Sequence, residues 1–215
     1  MKKIAVVLAG NGVFDGSEIH EATLTLYSII KNGAIYEIFA PNIDQHHVIN
    51  HITGEEMSEK RNVMIEAARI ARGKINDLAS FKAKEFDALI FPGGFGVAKN
   101  LCSFAFDGAN CNVNLDVEKA IRSMIEQGKP IGALCIAPVL LAKIIGDVEI
   151  TIGQDKGTAD AVKNMGATHK ETIHGEVVID KKNKVVTTPC YMLDANIGQI
   201  GDGANNVVKS ILKLI

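Results

Sequence analysis

The residue here best placed for chemistry is Cys135. The segment Pro130-Ile131-Gly132-Ala133-Leu134-Cys135-Ile136-Ala137-Pro138 runs from an apolar strand directly into a helical stretch. A tight strand-to-helix turn of this form lifts a nucleophile above a sheet. Pro138 falls in the first helical turn, where a missing N–H costs little. A helix N-terminus favours a thiolate, so the spacing predicts a thiol pKa below the free value of ~8.5. A buried structural cysteine is the alternative for such a residue. Glu18 and Glu21 are the second candidates, within Asp15-Gly16-Ser17-Glu18-Ile19-His20-Glu21. Their three-residue spacing puts both on one helix face near the carboxyl end of the sheet. A protonated carboxyl there stabilises a thiolate, and an ionised one opposes it. They also suit compensation of the helix dipole, with Ser17 or Asp15 as the cap. Phe91-Pro92-Gly93-Gly94-Phe95-Gly96 is the third candidate. Its glycines let backbone N–H groups approach a ligand oxygen, as an oxyanion hole requires.

Other motifs carry less. Gly10-Asn11-Gly12-Val13-Phe14-Asp15-Gly16 has G-x-G-x-x-x-G spacing rather than the dinucleotide fingerprint, and no P-loop is present. His47 and His51 would share a face only in a helix, and no zincin glutamate accompanies them. His174-Gly175-Glu176 has the H-x-E order of some Cys-His-Glu amidotransferases.

Apolar runs must position these residues. Strands are predicted at Ile4–Ala9, Ile35–Ala40, Phe86–Phe91 and Pro130–Leu134. Helices are predicted over Ser17–Lys31, Ser58–Arg72, Leu115–Gln127, Cys135–Ile145 and Asp194–Leu214, with His46–Gly54 irregular. Val177–Ile179 and Lys184–Thr187 bracket a hairpin turn. Alternating strands and helices predict an α/β three-layer sandwich: a mostly parallel sheet with helices on both faces. In such sheets the site lies beyond the carboxyl ends of the strands. That rule selects Gly10–Ser17, Pro92–Asn100 and Cys135, and with them Gly12, Phe95 and Asn100 as the substrate pocket.

The chain has 215 residues, 47% hydrophobic and 22% charged, with a net charge of -2 and no Trp. This suits one domain over 1–215 with an aliphatic core. It lacks the basic footprint of nucleic-acid binding. No segment approaches the ~18 apolar residues of a membrane span. The start reads as a first strand rather than a signal peptide. Cys102, Cys111, Cys135 and Cys190 show no Cys-x-x-Cys spacing and are expected as free thiols in a reducing, cytoplasmic setting.

In combination, Pro92-Gly93-Gly94, the Cys135 turn and the acidic first helix resemble the PfpI-like superfamily, relatives of class I glutamine amidotransferases. Asp15–Ala22, Asn50–Glu55, Arg61-Asn62-Val63, Pro92–Leu101, Cys135-Ile136-Ala137-Pro138 and Thr187-Thr188-Pro189 are similar to the ElbB family of isoprenoid-biosynthesis glyoxalase-like proteins. That resemblance implies a flavodoxin-like sandwich, a homodimer and glyoxalase activity without metal or organic cofactor. It places the family cysteine on Cys135 and the helix carboxyl that contacts it on Glu21, with Glu18 the near alternative. Gly93, Gly94 and Ile136 take the backbone oxyanion role. Many superfamily members place His directly after the cysteine, where this chain has Ile136, so no adjacent general base is supplied.

The function implied is conversion of glyoxal or methylglyoxal to a hydroxy acid. Cys135 attacks the aldehyde, and Glu21, with His20 as a further candidate, moves a proton. The alternatives are a thiol-based sensor or small-molecule-binding protein with little turnover, and an amidase or protease-like hydrolase.

Overall fold

The computed structural model describes residues 1–215. Ile4 to Val7 are four apolar residues without alternation, which suits a strand covered on both faces. They form most of β1 (Lys3–Val7), the third strand of a seven-stranded sheet. The neighbouring strands are β2 (Ile35–Ala40), β3 (Asn76–Asp77), β4 (Ala88–Phe91), β5 (Ile131–Leu134) and β9 (Val185–Thr188). The order is β3-β2-β1-β4-β5-β9-β8, where β8 (Val178–Asp180) is the antiparallel edge. All other pairings in this sheet are parallel. Strand order reverses about β1, so the crevice between β1 and β4 is where a ligand site is expected.

Helices cover both faces. On one, α1 (Ile19–Lys31) packs against α7 (Ile197–Leu214). Gly132 makes room there: a Cβ would lie 2.6 Å from Ile211 of α7. Against β4 lies α4 (Leu115–Glu126), which also packs on α5 (Pro138–Ile145). The remaining helices are α2 (Val63–Ile70), the four-residue α3 (Phe104–Asp107) and α6 (Lys156–Asn164). A small separate sheet pairs β6 (Glu149–Ile150) with β7 (Thr168–His169) in parallel. The core contains 53 buried apolar residues in one cluster.

The elements differ from the sequence expectation chiefly at their ends. The first helix begins at Ile19 rather than Ser17 because Glu18 is extended and caps it, accepting from Glu21 N at 2.7 Å. Ser17 and Asp15 are therefore not its cap. The second begins at Val63, capped by the Asn62 side chain. The last begins at Ile197, where Asn196 and Gln199 form a capping box. Phe86 is not in β4 because its N–H closes the preceding 3₁₀ turn onto Ala83 O. The small β6–β7 sheet and α6, capped by Asp155, were not expected.

Candidate active site

Cys135 leaves β5 with φ 59°, the left-handed region that a side-chain-bearing residue enters at a cost. Its own N–H donates to Thr188 O at 2.9 Å, tying the turn to the end of β9. Three residues, Cys135 to Ala137, thus make a non-helical elbow before Pro138 opens α5. The thiol is 7% exposed and lies on a cavity of about 420 Å³.

Glu21 lies beneath it. This carboxyl is fully buried on the first turn of α1 and lies beside Cys135, both packing against Gly93. Its oxygens also accept from Gly93 N at 2.9 Å and Tyr191 N at 3.2 Å. Burial and the charge of Glu18 raise its pKa from 4.5 to about 8, outweighing those hydrogen bonds. The Cys135 thiol is also pushed up, first by burial and then by the Glu21 charge. The expectation of a depressed thiol pKa is therefore corrected: a nearby helix start is outweighed by desolvation and a buried carboxyl. Backbone N–H groups of Gly94 and Ile136 donate toward the sulfur and pull its pKa the other way. The pair strongly resists carrying two negative charges at once.

Gly93 and Gly94 have separate tasks. The Gly93 N–H is committed to Glu21, so Gly93 is not a free oxyanion donor. It must be glycine for another reason: a Cβ would lie 2.4 Å from the Cys135 Cβ and 2.5 Å from Glu21 Oε2. Gly94, at φ 102°, and Ile136 aim their N–H groups at the site.

Glu18 does not contact the thiol. It caps α1 and adds negative charge beside Glu21. His20 is exposed, with Nδ1 2.8 Å from the Tyr191 hydroxyl. Tyr191 itself lines the cavity, so His20 sits one residue behind it. Of the three expected pocket residues, only Phe95 lines the cavity. Asn100 is instead a buried brace, donating to Ala9 O and Asp15 O and accepting from His46 N, each at 2.9 Å. Gly12 lies within the loop after β1, where a Cβ would meet His51. His51 accepts from Phe14 N and bonds Ile49 O, and its segment is not helical, so it does not share a helix face with His47. His174 and Glu176 line a different, open groove with Asp202 and offer Cys135 no base. All four cysteines are free thiols.

Tyr191 was missed by sequence reasoning, as were Asp155 and Thr158 on the far wall of the cavity. The signal for Tyr191 was available. It follows Thr187-Thr188-Pro189 at the carboxyl end of a strand, where parallel-sheet sites form.

The fold is shared with known proteins. The DJ-1/PfpI family model matches residues 2–191. A human protein named glutamine amidotransferase-like class 1 domain-containing protein 3, mitochondrial, is 49% identical, covering 99% of this chain and 83% of its own length. An isoprenoid biosynthesis protein with an amidotransferase-like domain from Ehrlichia chaffeensis is 34% identical, with a TM-score of 0.92 over 99% of this chain and 100% of that one. A glyoxalase III from Candida albicans shares the fold at 14% identity, with a TM-score of 0.64 over 100% of this chain and 97% of that one. The human relative's mitochondrial name overturns the cytoplasmic expectation: four free thiols indicate a reducing setting but do not identify the compartment.

Proposed function

We propose, since this chain belongs to the DJ-1/PfpI family, that it converts small 2-oxoaldehydes to hydroxy acids at Cys135. The observation that carries this reading is the Cys135–Glu21 pair: a thiol packed beside a fully buried carboxyl whose pKa is raised to about 8. A carboxyl of that pKa is a stronger base than an ordinary one and remains an effective acid near neutrality.

The steps need one carboxyl moving one proton at a time. Ionised Glu21 takes the thiol proton as sulfur adds to the aldehyde carbon of glyoxal. The new alkoxide forms beside the Gly94 and Ile136 N–H groups, then receives the proton from Glu21 to give the hemithioacetal. Glu21, again ionised, removes the hydrogen from the sulfur-bearing carbon, and the electron pair passes to the neighbouring carbonyl. The proton returns to that second carbon while the hydroxyl proton of the first carbon passes to the second oxygen, and the product is a glycolyl thioester. Water cleaves it to glycolate and the free thiol, so glyoxal plus water gives glycolate with no net redox change. Because both the proton donor and acceptor roles fall to Glu21, no histidine after the cysteine is required.

Burial and the raised thiol pKa weigh against a sensor that relies on an exposed thiolate. The test is incubation of pure protein with glyoxal and direct assay of glycolate. Cys135→Ala should abolish turnover and Glu21→Gln should reduce it at least a hundredfold. Equal turnover by wild type and Cys135→Ala overturns the proposal.

A further inference from the structure

The cavity beside Cys135 is larger and more apolar than glyoxal needs. Val13, Phe95, Ala98, Phe104, Ile136 and Met192 supply much of its wall. Its volume of about 420 Å³ lies within the range of pockets that enclose whole small-molecule ligands. No Lys, Arg or His lines it. Asp155 also lines the cavity, and its carboxyl accepts from Thr158 N at 2.7 Å and is held below the usual carboxylate range by that contact with Thr158. An anionic substrate would meet Asp155 with no cation among the lining residues; Lys99, 5.8 Å from the Phe95 ring, is bonded to Phe14 O and is not one of them. A neutral branched chain would instead displace water from apolar surface.

We infer that the site takes neutral 2-oxoaldehydes bearing an apolar branched substituent in preference to glyoxal and methylglyoxal, and excludes anionic aldehydes. This rests on the aldehyde reading of Cys135 given above. The reaction is unchanged: R–CO–CHO plus water gives R–CHOH–COOH, the aldehyde carbon being oxidised and the ketone carbon reduced. Each methylene newly buried is worth roughly fourfold in binding. Isopropylglyoxal adds two carbons to methylglyoxal, so its kcat/KM should be about fifteenfold higher.

Three measurements decide it. The first compares kcat/KM for isopropylglyoxal and methylglyoxal in wild type and in Phe95→Ser, a half-exposed wall position. The inference expects a ratio of about fifteen that falls toward one in the variant. The second measures protection of Cys135 from iodoacetamide by isovaleraldehyde and by glyoxylate, read by peptide mass spectrometry. The branched aldehyde should protect at concentrations at least tenfold lower. The third repeats protection with Asp155→Asn, which keeps a good helix cap while removing the charge. Glyoxylate should protect this variant several-fold better than wild type. Turnover of methylglyoxal equal to or faster than isopropylglyoxal overturns the inference and leaves the aldehyde chemistry standing. Absence of any turnover overturns the chemistry, and the protection series then decides the cavity. Equal protection by the two aldehydes overturns the inference, whereas selective protection by isovaleraldehyde upholds its preference for a neutral, apolar ligand.

Discussion

Glu21→Gln removes an ionisable proton from the core while keeping the side-chain volume. In the folded protein that carboxyl titrates near 8, against an ordinary value of 4.5. Between those values the folded state holds a proton that the unfolded chain has released. The stability tied to this group is therefore full below the unfolded value and is lost as pH rises through the folded one. Each unit in that window costs about 1.36 kcal/mol. From about pH 5 to pH 8 the loss is about 3.5 kcal/mol, approaching about 5 kcal/mol at higher pH. Full burial of Glu21 means that solvent does not discount the figure. The substitution also has a fixed cost. Glu21 accepts from both Gly93 N and Tyr191 N, whereas a glutamine has one acceptor oxygen. One N–H loses its partner, at roughly 1 kcal/mol that does not vary with pH. The assay is urea unfolding of both proteins across this pH range. Subtracting the variant's stability from the wild type's cancels the other titrating groups, and the difference should fall by about 3.5 kcal/mol. A flat difference would refute the reasoning: it would mean that the Gly93 and Tyr191 N–H groups hold Glu21 as a carboxylate at its ordinary pKa.

Three further outcomes are expected. The value of kcat/KM for aldehyde turnover should rise about tenfold per pH unit below pH 8 and level above it, because Glu21 must lose its proton to act; a profile flat over that range contradicts the base role. Cys135→Gly should be about 1 kcal/mol more stable than Cys135→Ala, because only glycine enters φ 59° without steric cost; equal melting temperatures would show that the turn relaxes when the thiol is removed. Thr25→Val should gain about 1 kcal/mol in chemical denaturation, because the Thr25 hydroxyl is buried without a partner; a loss would reveal a hydrogen bond to that hydroxyl.

The architecture was legible because three interior strands are short apolar runs without polar interruption. Ile4 to Val7, Ala88 to Phe91 and Ile131 to Leu134 cannot be amphipathic, so they had to be covered on both faces. The Cys135 elbow was visible for the same reason: an apolar strand is followed, after three residues, by a Pro-started helix. Electrostatics were not legible. The sign of the Cys135 shift depends on the depth at which Glu21 is buried and on which N–H groups face which atom, and neither follows from spacing. Asn100 illustrates the same limit. Its position in the Gly-rich turn suggested a ligand contact, but two of its three hydrogen bonds hold the loop after β1 and the third ties it to His46 in the segment after β2. The β6–β7 pair was unreadable because two-residue strands carry no periodicity.

The bond from Cys135 N to Thr188 O has a consequence for the order of folding. β5 cannot complete its parallel pairing until β9 arrives, and α5, both small strands and α6 intervene in the chain. Tyr191, which supplies an N–H to Glu21, lies later still. Closure of such a long loop is slow compared with local helix formation. During refolding the thiol therefore stays open to solvent, with the reactivity of an ordinary cysteine, until the last third of the molecule docks. Loss of Cys135 alkylation during refolding is expected to follow the β5–β9 pairing and to lag behind helix formation read by circular dichroism.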